Sequence, residues 1–174
     1  MLFAEQEYST VEDIFKKAEE QNEKPFIIVC DEIEDPHNLG AIIRPAENCG
    51  AHGIIIPKRR SASLNATVAK AACGALEYMP VARVTNIANT IDELKERGVW
   101  IFGADMNGED YTKTDFDCSL ALVIGNEGSG IGALTAKKCD AIISLPMFGK
   151  INSLNASVAA GVLMYEVVRK RRKL

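Results

Sequence analysis

The chain has 174 residues, 47% of them hydrophobic and 25% charged, with 24 acidic against 20 basic residues and a formal net charge of −4. This composition excludes a disordered chain and leaves room for one domain whose core needs no disulfide or metal staple. The negative balance means that a polyanionic partner has to be held by a local basic patch, because the overall field opposes it.

The N-terminal stretch MLFAEQEYST is acidic and has no apolar h-region, and no run approaches the ~18–20 unbroken apolar residues of a membrane span. The expectation is a soluble cytoplasmic protein that meets no membrane. Ser9-Thr10-Val11-Glu12 reads as a capping box, and Val11, Ile14, Phe15 and Ala18 follow one helical face. Residues 1–24 are therefore expected to form a linker or N-terminal helical extension, and 25–174 the main domain.

Six short apolar, β-branched runs then recur: Phe26–Cys30, Gly53–Ile56, Val81–Val84, Val99–Phe102, Leu120–Ile124 and Ala141–Leu145. Between them lie helical stretches, among them Asn86–Arg97 with a stop at Gly98 and a last one from Ser153 onward. Strands that are nearly all apolar, instead of alternating, mark a parallel sheet covered by helices on both faces, so the fold class is α/β with a single domain. The five cysteines (Cys30, Cys49, Cys73, Cys118, Cys139) contain no C-x-x-C pair, which speaks for small buried thiols in a reducing cytosol and against a metal site. Ser63-Leu-Asn-Ala-Thr-Val-Ala69 is echoed by Ser153-Leu-Asn-Ala-Ser-Val-Ala159, and both read as helix starts capped by serine.

In an open parallel sheet, ligands bind beyond the carboxyl ends of the strands. Three of the loops there are unusual. The first carries Asn38, Gly40 and Arg44, and an arginine in the first turns of a helix opposes the dipole, which suggests service to a partner. His37, beside Pro36, reads as structural. The second, Gly125-Asn-Glu-Gly-Ser-Gly-Ile-Gly132, is dense in glycine, lets backbone approach a ligand and has Glu127 as its only charge. It has neither G-x-G-x-x-G nor a Lys-Ser/Thr ending, so nicotinamide or nucleotide triphosphate binding is poorly supported. The third, Asn152-Ser153-Leu154-Asn155, is a polar cluster at a helix start.

These three segments in this order, Asn38-x-Gly40-x-x-x-Arg44, Leu122-Val-Ile-Gly125-Asn126-Glu127-Gly128, and Leu145-Pro146-Met147 with Ser153-Leu154-Asn155-x-Ser157-Val158-Ala159, resemble the three motifs of the SpoU (TrmH-like) RNA ribose methyltransferases of the SPOUT superfamily. The stretch Thr67–Glu77 with Val81–Val84 is similar to the branch that methylates a guanosine of large-subunit ribosomal RNA. The resemblance implies S-adenosylmethionine as donor, a ribose 2′-hydroxyl as acceptor, no metal, a C-terminal deep trefoil knot and a homodimer. Members of that branch carry a small RNA-binding domain ahead of the catalytic one. The expectation here is accordingly a catalytic-domain fragment, with a short natural member as the alternative.

By the family pattern, the donor rests near Gly103, Ala104, Asp105, Met106, Gly125, Leu145, Pro146 and Leu154. Asn38 and Asn155 orient the reacting groups, Glu127 fixes Arg44 or the ribose, and Ser153 caps the last helix while facing the substrate. The resemblance implies that Arg44 activates the hydroxyl. Holding an arginine neutral at pH 7 would cost roughly 7–9 kcal/mol, so the charged form is expected to stabilise the emerging alkoxide or hold the adjacent phosphate. RNA would be gripped by Lys58, Arg59 and Arg60, with the tail Arg169–Lys173 as a second basic segment that a helix dipole also explains. Other classes stay open: a tRNA enzyme of the same family, a non-catalytic RNA-binding module with this fold, or a Rossmann-type nucleotide enzyme, for which the acidic ribose clamp is missing.

Overall fold

A computed structural model of the chain describes residues 7–174; residues 1–6 of the expected extension lie outside the described part. The six apolar runs form strands β1 (Phe26–Asp31), β2 (Gly53–Pro57), β3 (Val81–Val84), β4 (Trp100–Asp110), β5 (Leu120–Gly125) and β6 (Ala141–Ser144). Every neighbouring pair is parallel and the order across the sheet is β3-β2-β1-β5-β4-β6. The expected α/β class and parallel sheet are therefore observed.

Helices α1 (Val11–Glu20), α2 (Pro36–Asn48), α3 (Ala66–Ala72), α4 (Ile87–Glu96), α5 (Ala133–Lys138) and α6 (Ala156–Arg171) cover both faces. Alternate strand residues feed two cores. Phe26, Ile28, Ile54, Ile56, Leu120 and Leu122 pack with Leu39, Ile42 and Ile43 of α2, Val68 of α3 and Leu163, Met164 and Val167 of α6. Ile27, Val29, Ile55, Ala121 and Val123 pack with Ile14 of α1 and Ile87, Ile91 and Leu94 of α4. Each central strand is thus apolar on both sides because both sides are covered. The chain runs from β1 toward β3 on one side of the sheet, while β5 leads to β4 and β6 on the other. The carboxyl ends of β1 and β5 consequently flank a switch point, where a crevice opens.

Several local expectations shift, each for a physical reason. The α1 cap is Thr10, whose hydroxyl accepts from Asp13 N at 3.1 Å while the Asp13 carboxylate accepts from Thr10 N at 2.8 Å. The capping box therefore stands one residue later than Ser9–Glu12. Ser9 instead donates its N–H to Val81 O at 2.9 Å and lies along the edge of β3. Neither copy of the Ser-Leu-Asn-Ala echo uses its serine as the cap. Asn65 caps α3 by accepting from Val68 N, and Asn155 caps α6 by accepting from Ser157 N and Val158 N. A short amide side chain reaches the free N–H groups of the first turn as well as a hydroxyl does, so the composition of the cluster left the register ambiguous.

Strand β4 runs to Asp110, eight residues past its expected end at Phe102. Its register on β6 breaks so that Ala104 and Glu109 both face Ile143, with 105–108 looping out between them. The polar run Asp-Met-Asn-Gly-Glu-Asp carries no strand pattern, and pairing with β6 alone holds it extended. Gly108 is required there, since a Cβ would stand 2.6 Å from the Ile142 backbone.

The basic tail sits at the opposite end of the sheet from the crevice. Arg171 donates to the carbonyls of Lys24, Pro25, Phe116 and Cys118, the residues that lead into β1 and β5. Burial lowers its pKa, with Cys118 and Glu23 opposing. Lys170 bonds the carbonyls of Thr112 and Thr114, Arg169 pairs with Glu166 at 2.7 Å, and Arg172 lies 3.8 Å from Glu23. These cations tie the C-terminus to the sheet floor, so the tail serves structure.

Candidate active site

A cavity of about 500 Å³ opens at the carboxyl ends of β4, β5 and β6. Its wall contains Ala104, Asp105, Met106, Gly125, Leu145, Pro146 and Leu154 from the expected donor set, together with Glu127 and Ser153. Gly103 is not in the wall. A Cβ there would meet Cys139 Sγ and Ile142 Cδ1 at 2.9 Å, so this glycine serves the packing of β4 behind the cavity.

Sequence reasoning missed Asn107, Asn126, Asn152, Ser144 and the apolar floor of Ile124, Ile143, Ala159 and Leu163. Asn126 and Asn152 stood inside segments already singled out, whereas the floor residues are indistinguishable in sequence from any core residue. The wall holds two carboxylates, Asp105 and Glu127, and no lysine, arginine or histidine. Such a site favours a neutral or cationic ligand with an apolar body over a polyphosphate.

The glycine loop is rigidly built. Gly130 N donates to Asn126 O at 2.7 Å and Asn126 N returns to Gly130 O at 3.2 Å, which closes a small antiparallel bridge. Gly128 N donates to Asn126 Oδ1 at 2.8 Å. Gly130 has φ +69°, a left-handed conformation natural to glycine. Backbone approach also explains Gly125, where a Cβ would fall 2.4 Å from Gly130 C.

Glu127 joins the three motifs. Its Oε1 accepts from Asn38 Nδ2 at 3.3 Å, from Ala156 N at 2.9 Å and from Asn155 Nδ2, while Asn155 Nδ2 also reaches Asn38 Oδ1 at 3.0 Å. A carboxylate at the start of α6 is favoured by the free N–H groups and the dipole there. Asn38 and Asn155 are thereby held at the rim through Glu127, and neither belongs to the cavity wall.

Ser153 is exposed and lines the cavity, two residues ahead of the Asn155 cap, so its expected capping role passes to Asn155. His37 is exposed, and its N–H donates to Asp35 Oδ1, the α2 cap.

Arg44 stands apart from this network. It is the ninth residue of α2, in the half of the helix where the dipole favours cations, and this overturns the argument that placed it in the first turns. Its guanidinium is exposed and donates to Cys73 Sγ at 3.3 Å. Glu127 bonds the asparagines and Ala156, and no bond joins it to Arg44 among the described residues. Gly40 explains how Cys73 comes within reach: a Cβ on it would lie 2.4 Å from Ala71 Cβ and 2.6 Å from Val68 O, so only glycine lets α3 lie against α2. Arg44 is absent from the cavity wall.

Lys58, Arg59 and Arg60 are exposed on the loop after β2, also at the carboxyl ends of the strands. Arg60 lies 3.4 Å from Glu32, and Lys58 and Arg59 have no side-chain partner among the described residues. Cys30 and Cys49 are buried as expected, whereas Cys118 and Cys139 are half-buried and Cys73 is exposed; burial pushes the thiols of Cys30 up to about 12 and of Cys49 and Cys139 up to about 11. No group of three or more acidic, histidine or cysteine side chains able to hold a metal occurs among the described residues. No helix there is long and apolar enough to cross a membrane.

Comparison with known proteins places these features in a family. The model of the SpoU rRNA Methylase family matches residues 25–165. The protein YacO of Bacillus subtilis, assigned to the TrmH family of tRNA/rRNA methyltransferases, is 60% identical over 166 residues, which cover 95% of this chain and 67% of that protein. Among solved structures, the SpoU methyltransferase AviRb from Streptomyces viridochromogenes in complex with the cofactor AdoMet is 31% identical, with TM-score 0.79, covering 87% of this chain and 62% of that one. The AdoMet-bound rRNA methyltransferase from Sinorhizobium meliloti is 28% identical, with TM-score 0.82, covering 97% and 62%. This chain thus spans about two thirds of YacO and 62% of each of these two solved structures.

Proposed function

Because the chain belongs to the SpoU rRNA methylase family, we propose that it transfers a methyl group from S-adenosylmethionine to a ribose 2′-hydroxyl in RNA, at a guanosine of large-subunit ribosomal RNA. The observation that carries the donor is the cavity itself. Its apolar floor suits a purine and its backbone rim suits polar edges, while its only charges, Asp105 and Glu127, are of the sign that welcomes a sulfonium. AdoMet in the AviRb and Sinorhizobium meliloti structures supports the same choice. The nucleotide assignment rests on the Thr67–Glu77 and Val81–Val84 resemblance, and ribose-methylation mapping of both ribosomal and transfer RNA after incubation with the protein distinguishes the two substrates.

When bound, the donor supplies an electrophilic methyl group on a sulfonium. The chain's own residues do the rest. Glu127 locks Asn38 and Asn155 side by side, so that the free valences of the two amides hold the ribose in one orientation. The Arg44 guanidinium stabilises the negative charge that grows on the attacking oxygen as the hydroxyl proton passes to solvent. The exposed Lys58, Arg59 and Arg60 bind phosphates, placing the RNA on the side of the sheet where β1 and β2 end. Residues 1–24 act as an extension leading into the methyltransferase domain 25–174. The trefoil knot belongs to the same proposal, supported by the return of α6 from the edge strand β6 to the middle of the sheet, against α2 and β5.

Donor binding is tested by thermal unfolding. At 100 times its dissociation constant the donor adds about 2.7 kcal/mol, which raises the melting temperature of a domain this size by roughly 5–10 °C. NAD at the same concentration should leave it unchanged. An unshifted transition at saturating S-adenosylmethionine would refute the assignment.

A homodimer forms part of the proposal, carried by the exposed stripe Val158, Val162 and Tyr165 on α6, which continues into Phe148 and Ile151, 95% and 80% exposed. Leu163, next to Val162 in sequence, is buried in the core and belongs to no such stripe. Light scattering at micromolar concentration should give twice the 18.9 kDa chain mass, and Val162→Asp should bring it down to one chain. A monomeric wild-type protein would end this reading.

A further inference from the structure

Strand β1 ends on a carboxylate that the proposed reaction does not use. Asp31 follows five apolar residues, is 7% exposed, and pairs with no cation among the described residues. Its Oδ2 accepts from Gly132 N at 2.9 Å. Burial pushes its carboxyl pKa up, and the Gly132 hydrogen bond pulls it back down. A buried unpaired carboxylate is expensive, and here it is retained for a single backbone N–H.

That N–H closes the glycine loop. The loop leaves β5 at Gly125, which is in register with Asp31 itself, and returns at Gly132. The neighbouring residue Glu32, held at φ +61°, offers its carbonyl to Asn126 Nδ2 at 3.1 Å. Asp31, the last residue of β1, and Glu32, which follows it, therefore grip the loop at both ends, Glu32 by its carbonyl near the start and Asp31 by its carboxylate at the finish. Between the grips lie Glu127 to Gly130, which with Gly125 and Asn126 form one wall of the cavity.

We propose that Asp31 is a positioning residue for the donor site: its carboxylate holds Gly132 so that the glycine loop stays in the cupped shape that binds S-adenosylmethionine. This rests on the reading that the cavity is the donor site. Asp31 does not line the cavity, so it acts through the backbone alone. Without the bond the loop samples open shapes, and the apparent affinity falls by the fraction of time it is competent.

The test is calorimetric titration with S-adenosylmethionine, on wild type, Asp31→Ala and Asp31→Asn, at a temperature where circular dichroism shows each protein folded. Loss of a hydrogen bond to a charged group predicts a dissociation constant about 10-fold weaker for Asp31→Ala. Asparagine keeps a neutral acceptor of the same shape, so Asp31→Asn should recover most of this and bind about 3-fold more weakly than wild type. Hydrogen exchange at the Gly132 amide should speed up in Asp31→Ala, while amides of β2 and β3 stay as protected as in wild type.

Wild-type affinity in Asp31→Ala would overturn the inference. If Asp31→Ala does not fold, wild-type affinity in Asp31→Asn together with unchanged exchange at Gly132 overturns it equally. Failure of the wild-type protein to bind the donor at all would instead overturn the proposed function, so the two ideas fail separately.

Discussion

Arg44→Ala is expected to lower methyl transfer by about 100- to 1,000-fold, the usual consequence of removing a donor aimed at a developing oxyanion. Donor affinity should stay at the wild-type value, because Arg44 forms no part of the cavity wall. Stability should also change little. The side chain is exposed and its hydrogen bond is to a thiol, a weak acceptor, so truncation leaves neither a cavity nor an orphaned strong acceptor. Single-turnover methylation of an RNA hairpin, beside calorimetric titration of the donor, separates these quantities. Parallel losses of turnover and donor affinity would remove Arg44 from the role proposed for it. Arg44→Lys is expected to recover only part of the rate, since an ammonium keeps the charge and loses the planar fork of donors.

Gly125→Ala should weaken donor binding about 10- to 100-fold while the domain stays folded. The added methyl would stand 2.4 Å from Gly130 C, 2.5 Å from Ile131 N and 2.6 Å from Gly130 O, all backbone atoms. They cannot step aside without opening the Asn126–Gly130 bridge, whose two hydrogen bonds give the loop its width. Overpacking of this kind costs roughly 1–3 kcal/mol, and here it falls on the loop that forms the cavity wall. Pairing of β5 with β1 runs from Leu120 to Gly125, so most of the ladder lies outside the disturbance. Calorimetric titration and a melting curve check both halves of this expectation. Wild-type affinity in Gly125→Ala would mean that the loop bends freely and that its rigidity is irrelevant to the site.

The two substitutions probe separate places: Arg44 stands on α2 outside the cavity wall, and Gly125 lies in that wall at the end of β5. Glu127 is bonded to Asn38 of α2, to Asn155 and to the first N–H of α6. Three segments far apart in the chain therefore meet on one carboxylate. Their order explains why motifs separated by some ninety and thirty residues read as a single site.

The apolar runs of β1, β2 and β5 determined their strands, and through burial on both faces they determined the parallel sheet and its two helical layers. Residue type also sufficed to mark the glycine loop, since backbone crowding at Gly125 admits nothing larger. Local chemistry carries these features, so sequence order alone records them. Partner choice among polar groups is different, because it depends on which segments arrive side by side. Asn155 is the cap in place of Ser153, Glu127 holds asparagines and not Arg44, and the basic tail clamps carbonyls beneath the sheet. Asp31 looks like an ordinary end to a strand until Gly132 folds back onto it. An asparagine, a carboxylate or a guanidinium can satisfy many partners equally well. Only the packing of β1 against β5, and of α2 against α3 and α6, decides which one lies within three ångströms or so.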